Sequence, residues 1–179
     1  MIYVFFANGF EEVEALAPVD ILRRAEHDVQ MVGVGGKVIT GSHGISVTCD
    51  IEAHQISLAD MEMAVLPGGM PGTLNLEKSE IVQIVAEFAM DKNIPLGAIC
   101  AAPSILGHAG LLEGRKATCF PGFEQELVGA EFTGSPVEVD GKLITARGAG
   151  CAVDFALALV ELLDGKGEAT AMRKGLQCP

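Results

Sequence analysis

The sequence predicts a doubly wound α/β domain, a mostly parallel sheet with helices on both faces and one small β-hairpin. Three observations predict it. Short runs that are apolar at every position, such as Ile2–Phe6, Met63–Leu66 and Ile94–Ile99, mark strands buried on both faces. Between them lie stretches with helical period, Glu11–Arg24 and Glu80–Asp91 among them. Strand and helix alternate along nearly the whole chain, which is the order that lays strands parallel.

Taken in turn, Ile2–Phe6 opens the sheet and Asn8-Gly9 turns the chain into a helix from Glu11 to about Arg24. Val13, Leu16, Ala17 and Ile21 recur at helical spacing as its core stripe, and Pro18 within it predicts a kink. Asp28–Val34 is a second strand, and GGKVITGSHGISVTCD sets two β-branched runs around GSHG, a hairpin signal. Met63–Leu66 closes on PGGMPG, and Glu80–Asp91 is an amphipathic helix. Ile94–Ile99 runs into a helical pattern from Ala101, with Pro103 suited to a first turn. Lys116–Cys119 reads as a strand and Phe123–Val128 as a short helix, while Val137–Val139 and Leu143–Ala146 pair around Asp140-Gly141. The last long helix covers about Ala152–Leu163, ahead of a short tail that can itself be helical. With no repeat or low-complexity segment, one domain over residues 1–179 is expected.

Composition narrows the function. Acids outnumber bases 24 to 12, for a net charge of −12, so the clustered Lys and Arg of a nucleic-acid surface are missing. No run approaches the length of a membrane span, and the apolar start meets acids at once, unlike a signal peptide; a cytoplasmic protein is expected. The five cysteines (Cys49, Cys100, Cys119, Cys151, Cys178) are odd in number and contain no CxxC pair, which suggests reduced thiols and neither a zinc site nor a disulfide framework. RGAGCAVDF imitates a nucleotide loop but has Val153 where the third glycine belongs, so dinucleotide binding is rejected and those glycines are assigned to strand–helix packing. No metal and no cofactor are expected.

The chemistry gathers at the strand ends, where Asn8–Glu14, Pro67–Gly72 and Cys100–Pro103 should meet. Cys100 falls where a strand turns abruptly into a helix, with Ala98 and Ala102 two residues to each side, which is the context of a nucleophile elbow. The following helix start favours a thiolate and a lowered pKa; the competing reading is a buried structural cysteine. Glu14, if partly buried beside Cys100, would have a raised pKa and could hold or accept a proton, whereas Glu11 and Glu12 read as helix-capping or solvated acids. Gly68 or Gly69, with the Ala101 N–H, could form a donor pair for an oxyanion, or simply make a turn. None of His27, His43, His54 and His108 adjoins Cys100, and His108 should point away from it. Asp20 and Arg24 stand at i, i+4 as a surface pair.

With these residues in place, the chain resembles the ThiJ/PfpI superfamily, and within it the parkinsonism-associated deglycase branch. The likeness runs through NGFEEVEALAPVDILRRA, the hairpin, VLPGGMPGTLNL, GAICAAPSIL, TCFPGFE and ITARGAGCAVDFALALVELL, in that order. It implies a flavodoxin-like (class I glutamine amidotransferase-like) domain and a homodimer, with the region of Asp20, Arg24 and Cys49 near the contact. It also implies that Cys100 is the nucleophile and redox-sensitive thiol, that Glu14 is the acid hydrogen-bonded to it, and that the Gly69 and Ala101 amides are the oxyanion donors. Three departures stand out: Ala101 replaces the histidine of the protease branch, Phe120 replaces a histidine found beside the nucleophile in some relatives, and Cys151 stands where relatives often have Thr. A Cys–His–acid triad is therefore incomplete, and proteolysis is not expected.

The resemblance implies a cofactor-independent enzyme whose partner is a small 2-oxoaldehyde such as methylglyoxal, or a glycated protein. The residues themselves support a nucleophile with an acid/base. The alternatives are a peroxide sensor or redox-regulated chaperone that uses Cys100 oxidation and, against the missing histidine, an amidotransferase-like hydrolase.

Overall fold

A computed structural model describes residues 1–178. In chain order the elements are β1 (Ile2–Ala7), α1 (Glu12–Arg24), β2 (Val29–Val34), β3 (Val38–Thr40), β4 (Ser46–Thr48), β5 (Ile51–Glu52), β6 (Met63–Leu66), α2 (Gly72–Glu77) and α3 (Glu80–Asp91). There follow β7 (Leu96–Ile99), α4 (Pro103–His108), β8 (Lys116–Ala117), β9 (Glu131–Phe132), β10 (Val137–Asp140), β11 (Leu143–Ala146), α5 (Ala152–Asp164) and α6 (Lys166–Gly175). Seven strands form the central sheet in the order β10-β11-β7-β6-β1-β2-β5. Only β10 runs antiparallel to its neighbour. The long parallel strands, counted as they occur in the chain, thus lie 2-1-3-4-5, the flavodoxin-like order.

β1 shows why its residues are apolar without exception. Its pleat sends Ile2, Val4 and Phe6 into one core and Tyr3, Phe5 and Ala7 into the other. The first core is closed by α1, α5 and α6, and the second by α3 and α4. The predicted hairpin forms from β3 and β4, paired Val38↔Thr48 to Thr40↔Ser46. The pair around Asp140-Gly141 forms as β10 and β11.

Three expectations change. Val13 is 51% exposed, while α1 buries Glu12, Glu14, Ala15, Pro18, Val19, Ile21 and Leu22. Reading by apolar period alone misplaces the face because two of its buried members are acids with partners. The helix itself runs to Arg24 with Pro18 inside it, as expected. The strand expected over Lys116–Cys119 stops at Ala117, and the helix expected over Phe123–Val128 is a 3₁₀ turn at Glu124–Glu126. The short strands β5 and β9 and the helix α2 carry too few residues for a period to reveal them.

Candidate active site

β1, β6 and β7 deliver their following loops to one end of the sheet, where strand order reverses between β1 and β6. Backbone hydrogen bonds tie the loops together: Glu11 N–H donates to the Gly68 carbonyl at 2.9 Å and Gly72 N–H to the Gly9 carbonyl at 3.1 Å. The Cys100 thiol reaches the Glu14 carboxyl, so all three predicted loops meet.

Cys100 leaves β7 with φ 65°, a left-handed conformation costing a non-glycine residue on the order of 1–3 kcal/mol. Neighbouring strand ends hold it there. Cys100 N–H donates to the Ala146 carbonyl, and the Cys100 carbonyl accepts from Phe120 N–H, both at 2.8 Å. This is the elbow that the sequence predicted, and it leaves the thiol half-buried.

Glu14 is 1% exposed. Its Oε2 accepts from Gly68 N–H at 3.0 Å, and its carboxyl is also reached by the Ala149 N–H and the Cys100 thiol. Burial outweighs these bonds and, with the nearby Glu11 charge, pushes Glu14 up to about 7. Gly68 is glycine because a Cβ would come 2.6 Å from Cys100 Cβ and 2.7 Å from Glu14 Oε2. Gly69 has φ +91°, and a Cβ there would lie 2.3 Å from Glu11 N.

The thiol itself departs from expectation. Burial, then the charge and acceptor strength of Glu14, push Cys100 up to about 12, against the pull of the Gly69 and Ala101 N–H groups. The helix expected to favour thiolate begins only at Pro103 and spans six residues, and a carboxylate stands against the sulfur. The two groups titrate as a pair. Whichever ionises first makes the second ionisation harder, so the pair carries a single negative charge above pH about 7.

The remaining acids and histidines settle elsewhere. Glu11 caps α1, accepting from Glu14 N–H at 2.7 Å, as expected. Glu12 is not solvated but 5% exposed, and it accepts from His43 N–H at 2.7 Å, His43 Nδ1 at 2.8 Å and Ile45 N–H at 3.5 Å. Burial would raise it, yet the His43 imidazole and these backbone donors hold it at about 2. Glu11, Glu12 and His43 bring donor atoms within 4.8 Å of one another, but those atoms are engaged with each other and with backbone N–H groups, which makes a latch on the hairpin rather than a metal cage. His27 pairs with Asp164 at 2.8 Å, His54 lies 3.9 Å from Glu52, and His108 bonds Glu77 and Glu126 away from Cys100. Asp20 and Arg24 form their surface pair at 2.7 Å. Cys49 is 1% exposed, its thiol already covered by its own chain.

Sequence reasoning missed the loop after β11. Gly148 borders the site, since a Cβ there would stand 3.2 Å from the Phe120 ring and 3.6 Å from Glu14 Oε1. Close strand–helix packing falls instead at Gly97, whose Cβ would meet Phe155 at 2.9 Å and Leu159 at 3.1 Å. The usable signal was the position of RGAG, directly after a buried strand.

Fold and site together define a class: a doubly wound α/β domain with a cysteine on a strand-to-helix elbow and a buried glutamate against it. The sequence profile of the DJ-1/PfpI family matches residues 1–162, and the chain belongs to that family. It is 37% identical over 166 residues to Protein DJ-1 homolog B of Arabidopsis thaliana, covering 91% of this chain and 38% of that protein. The chain spans about two fifths of the two plant relatives it matches. It is 34% identical to Protein dj-1beta of Drosophila melanogaster, covering 97% and 94% of the two chains, and 32% identical to Deglycase PfpI of Pyrococcus furiosus, covering 88% and 95%. Solved structures agree. An oxidized Toxoplasma gondii DJ-1 superposes with TM-score 0.94 at 30% identity over 98% of this chain and 97% of its own, and Drosophila DJ-1beta with 0.93 at 32% over 99% and 97%. No helix among the described residues is long and apolar enough to cross a membrane.

Proposed function

We propose that the chain is a cofactor-independent cysteine enzyme that converts 2-oxoaldehydes, or their adducts on proteins, to 2-hydroxy acids, in line with its deglycase-named relatives. One observation carries this reading: a thiol hydrogen-bonded to a buried carboxyl poised near neutrality, with two backbone N–H groups on the sulfur. Cys100 Sγ adds to the aldehyde carbon, its proton passing to the Glu14 carboxylate and on to the new oxygen, which gives a hemithioacetal. The Gly69 and Ala101 N–H groups face the oxygen while it carries charge. Glu14 then removes the C1 hydrogen and delivers it to C2 as the O1 hydrogen moves to O2, leaving a thioester that one water cleaves to acid and free thiol. A carboxyl near 7 suits this work because it exchanges a proton in either direction at neutral pH. A homodimer through the Asp20–Arg24 face of α1 and a cytoplasmic setting that suits five free thiols complete the reading.

The test is glutathione-free methylglyoxal consumption with lactate detection, on wild type, Cys100→Ala and Glu14→Gln. Turnover lost in both variants supports the pair; reduced, folded wild type making no lactate defeats the reading. The half-exposed Cys100 beside a protonatable acid also favours a second reading, a peroxide sensor in which Glu14 donates to an oxidised sulfur. Selective oxidation of Cys100 by peroxide without aldehyde turnover would place that reading first.

A further inference from the structure

The site described so far ends at the reacting atoms, but the cavity beside it does not. An open groove of about 330 Å³ is lined by Phe120, Pro121 and the loop from Arg147 to Cys151. It adjoins the reactive pair: a Cβ at Gly148 would stand 3.2 Å from the Phe120 ring and 3.6 Å from Glu14 Oε1, and Phe120 N–H is bonded to the Cys100 carbonyl. Phe120 presents a ring 47% exposed. The one charged side chain of the groove, Arg147, reaches back with Nη1 to the Gly134 carbonyl at 3.4 Å. The wall facing the pair is thus aromatic and apolar.

We propose that this groove is the subsite for the substituent on the ketone carbon, and that it selects 2-oxoaldehydes bearing an aromatic or similarly broad apolar arm over those bearing a methyl group. The inference rests on the reaction proposed above. With C1 on Cys100 and its oxygen toward Gly69 and Ala101, the arm on C2 has the space bounded by Gly148 and Phe120. A cavity of this size holds far more than a methyl group. Gly148 is what keeps the passage open. Its φ of 160° is extended backbone that alanine also adopts, so Gly148→Ala narrows the space between the Phe120 ring and Glu14 and asks that exposed ring to give by a few tenths of an ångström.

The test compares kcat/KM for phenylglyoxal and methylglyoxal in the full chain, with the ratio read against that of Phe120→Ser and Gly148→Ala so that intrinsic aldehyde reactivity cancels. The expected result is a phenylglyoxal-to-methylglyoxal ratio falling about tenfold in each variant, the scale of an apolar subsite contact. A ratio that stays within twofold overturns the subsite while leaving the reaction standing, as does a carboxylate-bearing 2-oxoaldehyde outcompeting phenylglyoxal. A second readout needs no turnover: amide NMR titration with mandelate and lactate, the inert products. Mandelate should shift Phe120 and Gly148–Cys151 and saturate at about tenfold lower concentration than lactate. That result with no turnover of either aldehyde would defeat the reaction and keep the subsite; equal weak binding of both acids would defeat the subsite.

Discussion

Glu12 and Glu14 sit two residues apart on one helix, both almost fully buried, yet one is held at about 2 and the other at about 7. Burial pushes both upward, and harder at Glu14, which lies deeper among the site loops. Glu12 meets the His43 imidazole and the N–H groups of His43 and Ile45, donors that satisfy a full negative charge. Glu14 meets the Gly68 and Ala149 N–H groups and a thiol, and it feels the charge of Glu11. The first carboxylate is permanent and structural, and it clamps the hairpin to α1. The second lies deeper and meets fewer donors, which holds its carboxyl near neutrality.

The largest effect should come from the reactive side of this comparison. Cys100→Ala is expected to abolish aldehyde turnover, and Glu14→Gln to lower kcat by about 10²–10⁴-fold, the usual worth of a positioned acid/base; steady-state lactate production measures both. Glu12→Gln should do the reverse and spare the reacting atoms while weakening the latch. Its expected cost is about 1–3 kcal/mol in urea unfolding at pH 7, because buried donors lose a charged acceptor.

pH sharpens the contrast. Glu14 is raised from 4.5 to about 7, so the folded state holds a proton that the unfolded chain has released, and stability falls as pH rises from about 4.5 to 7. Glu14→Gln should flatten that decline, a difference of up to about 3 kcal/mol at pH 8. Glu12 is lowered from 4.5 to about 2, so its contribution is present above about 4.5 and lost as pH falls toward 2. Acid unfolding of wild type and Glu12→Gln should therefore converge below pH 2. The smallest effect is expected from His43→Gln. His43 is raised above 6.5, so its share is full below 6.5 and fades as pH climbs through the raised value. The gap in melting temperature from wild type should be widest near pH 5.5 and close at higher pH.

The sequence made legible whatever depends on neighbours along the chain. Apolar runs at Ile2–Phe6 and Met63–Leu66 reveal strands, and a cysteine between Ile99 and Pro103 reveals the elbow. Glu14 lies within the buried face of α1 and Val13 lies outside it, the reverse of what the apolar period suggests. What stayed hidden depends on distant parts of the chain. Glu12 is buried because a loop some 30 positions later folds onto it, and Gly148 matters because Phe120 and Glu14 arrive at either side of it. The direction of the Cys100 shift was hidden for the same reason: a local helix start suggested thiolate, and a carboxyl from another loop reversed it.

The Cys100 elbow is held by Ala146 and Phe120, and its acid is held by Gly68 and Ala149. These contacts are spread from residue 68 to residue 149, and the last of them lies almost fifty residues beyond the cysteine. During synthesis the cysteine leaves the ribosome well before its supports exist. A growing chain therefore carries an ordinary thiol. The thiol meets its full set of neighbours only when the final parallel strand has joined the sheet, so unfinished or truncated copies hold Cys100 and Glu14 without the contacts that raise both of their pKa values.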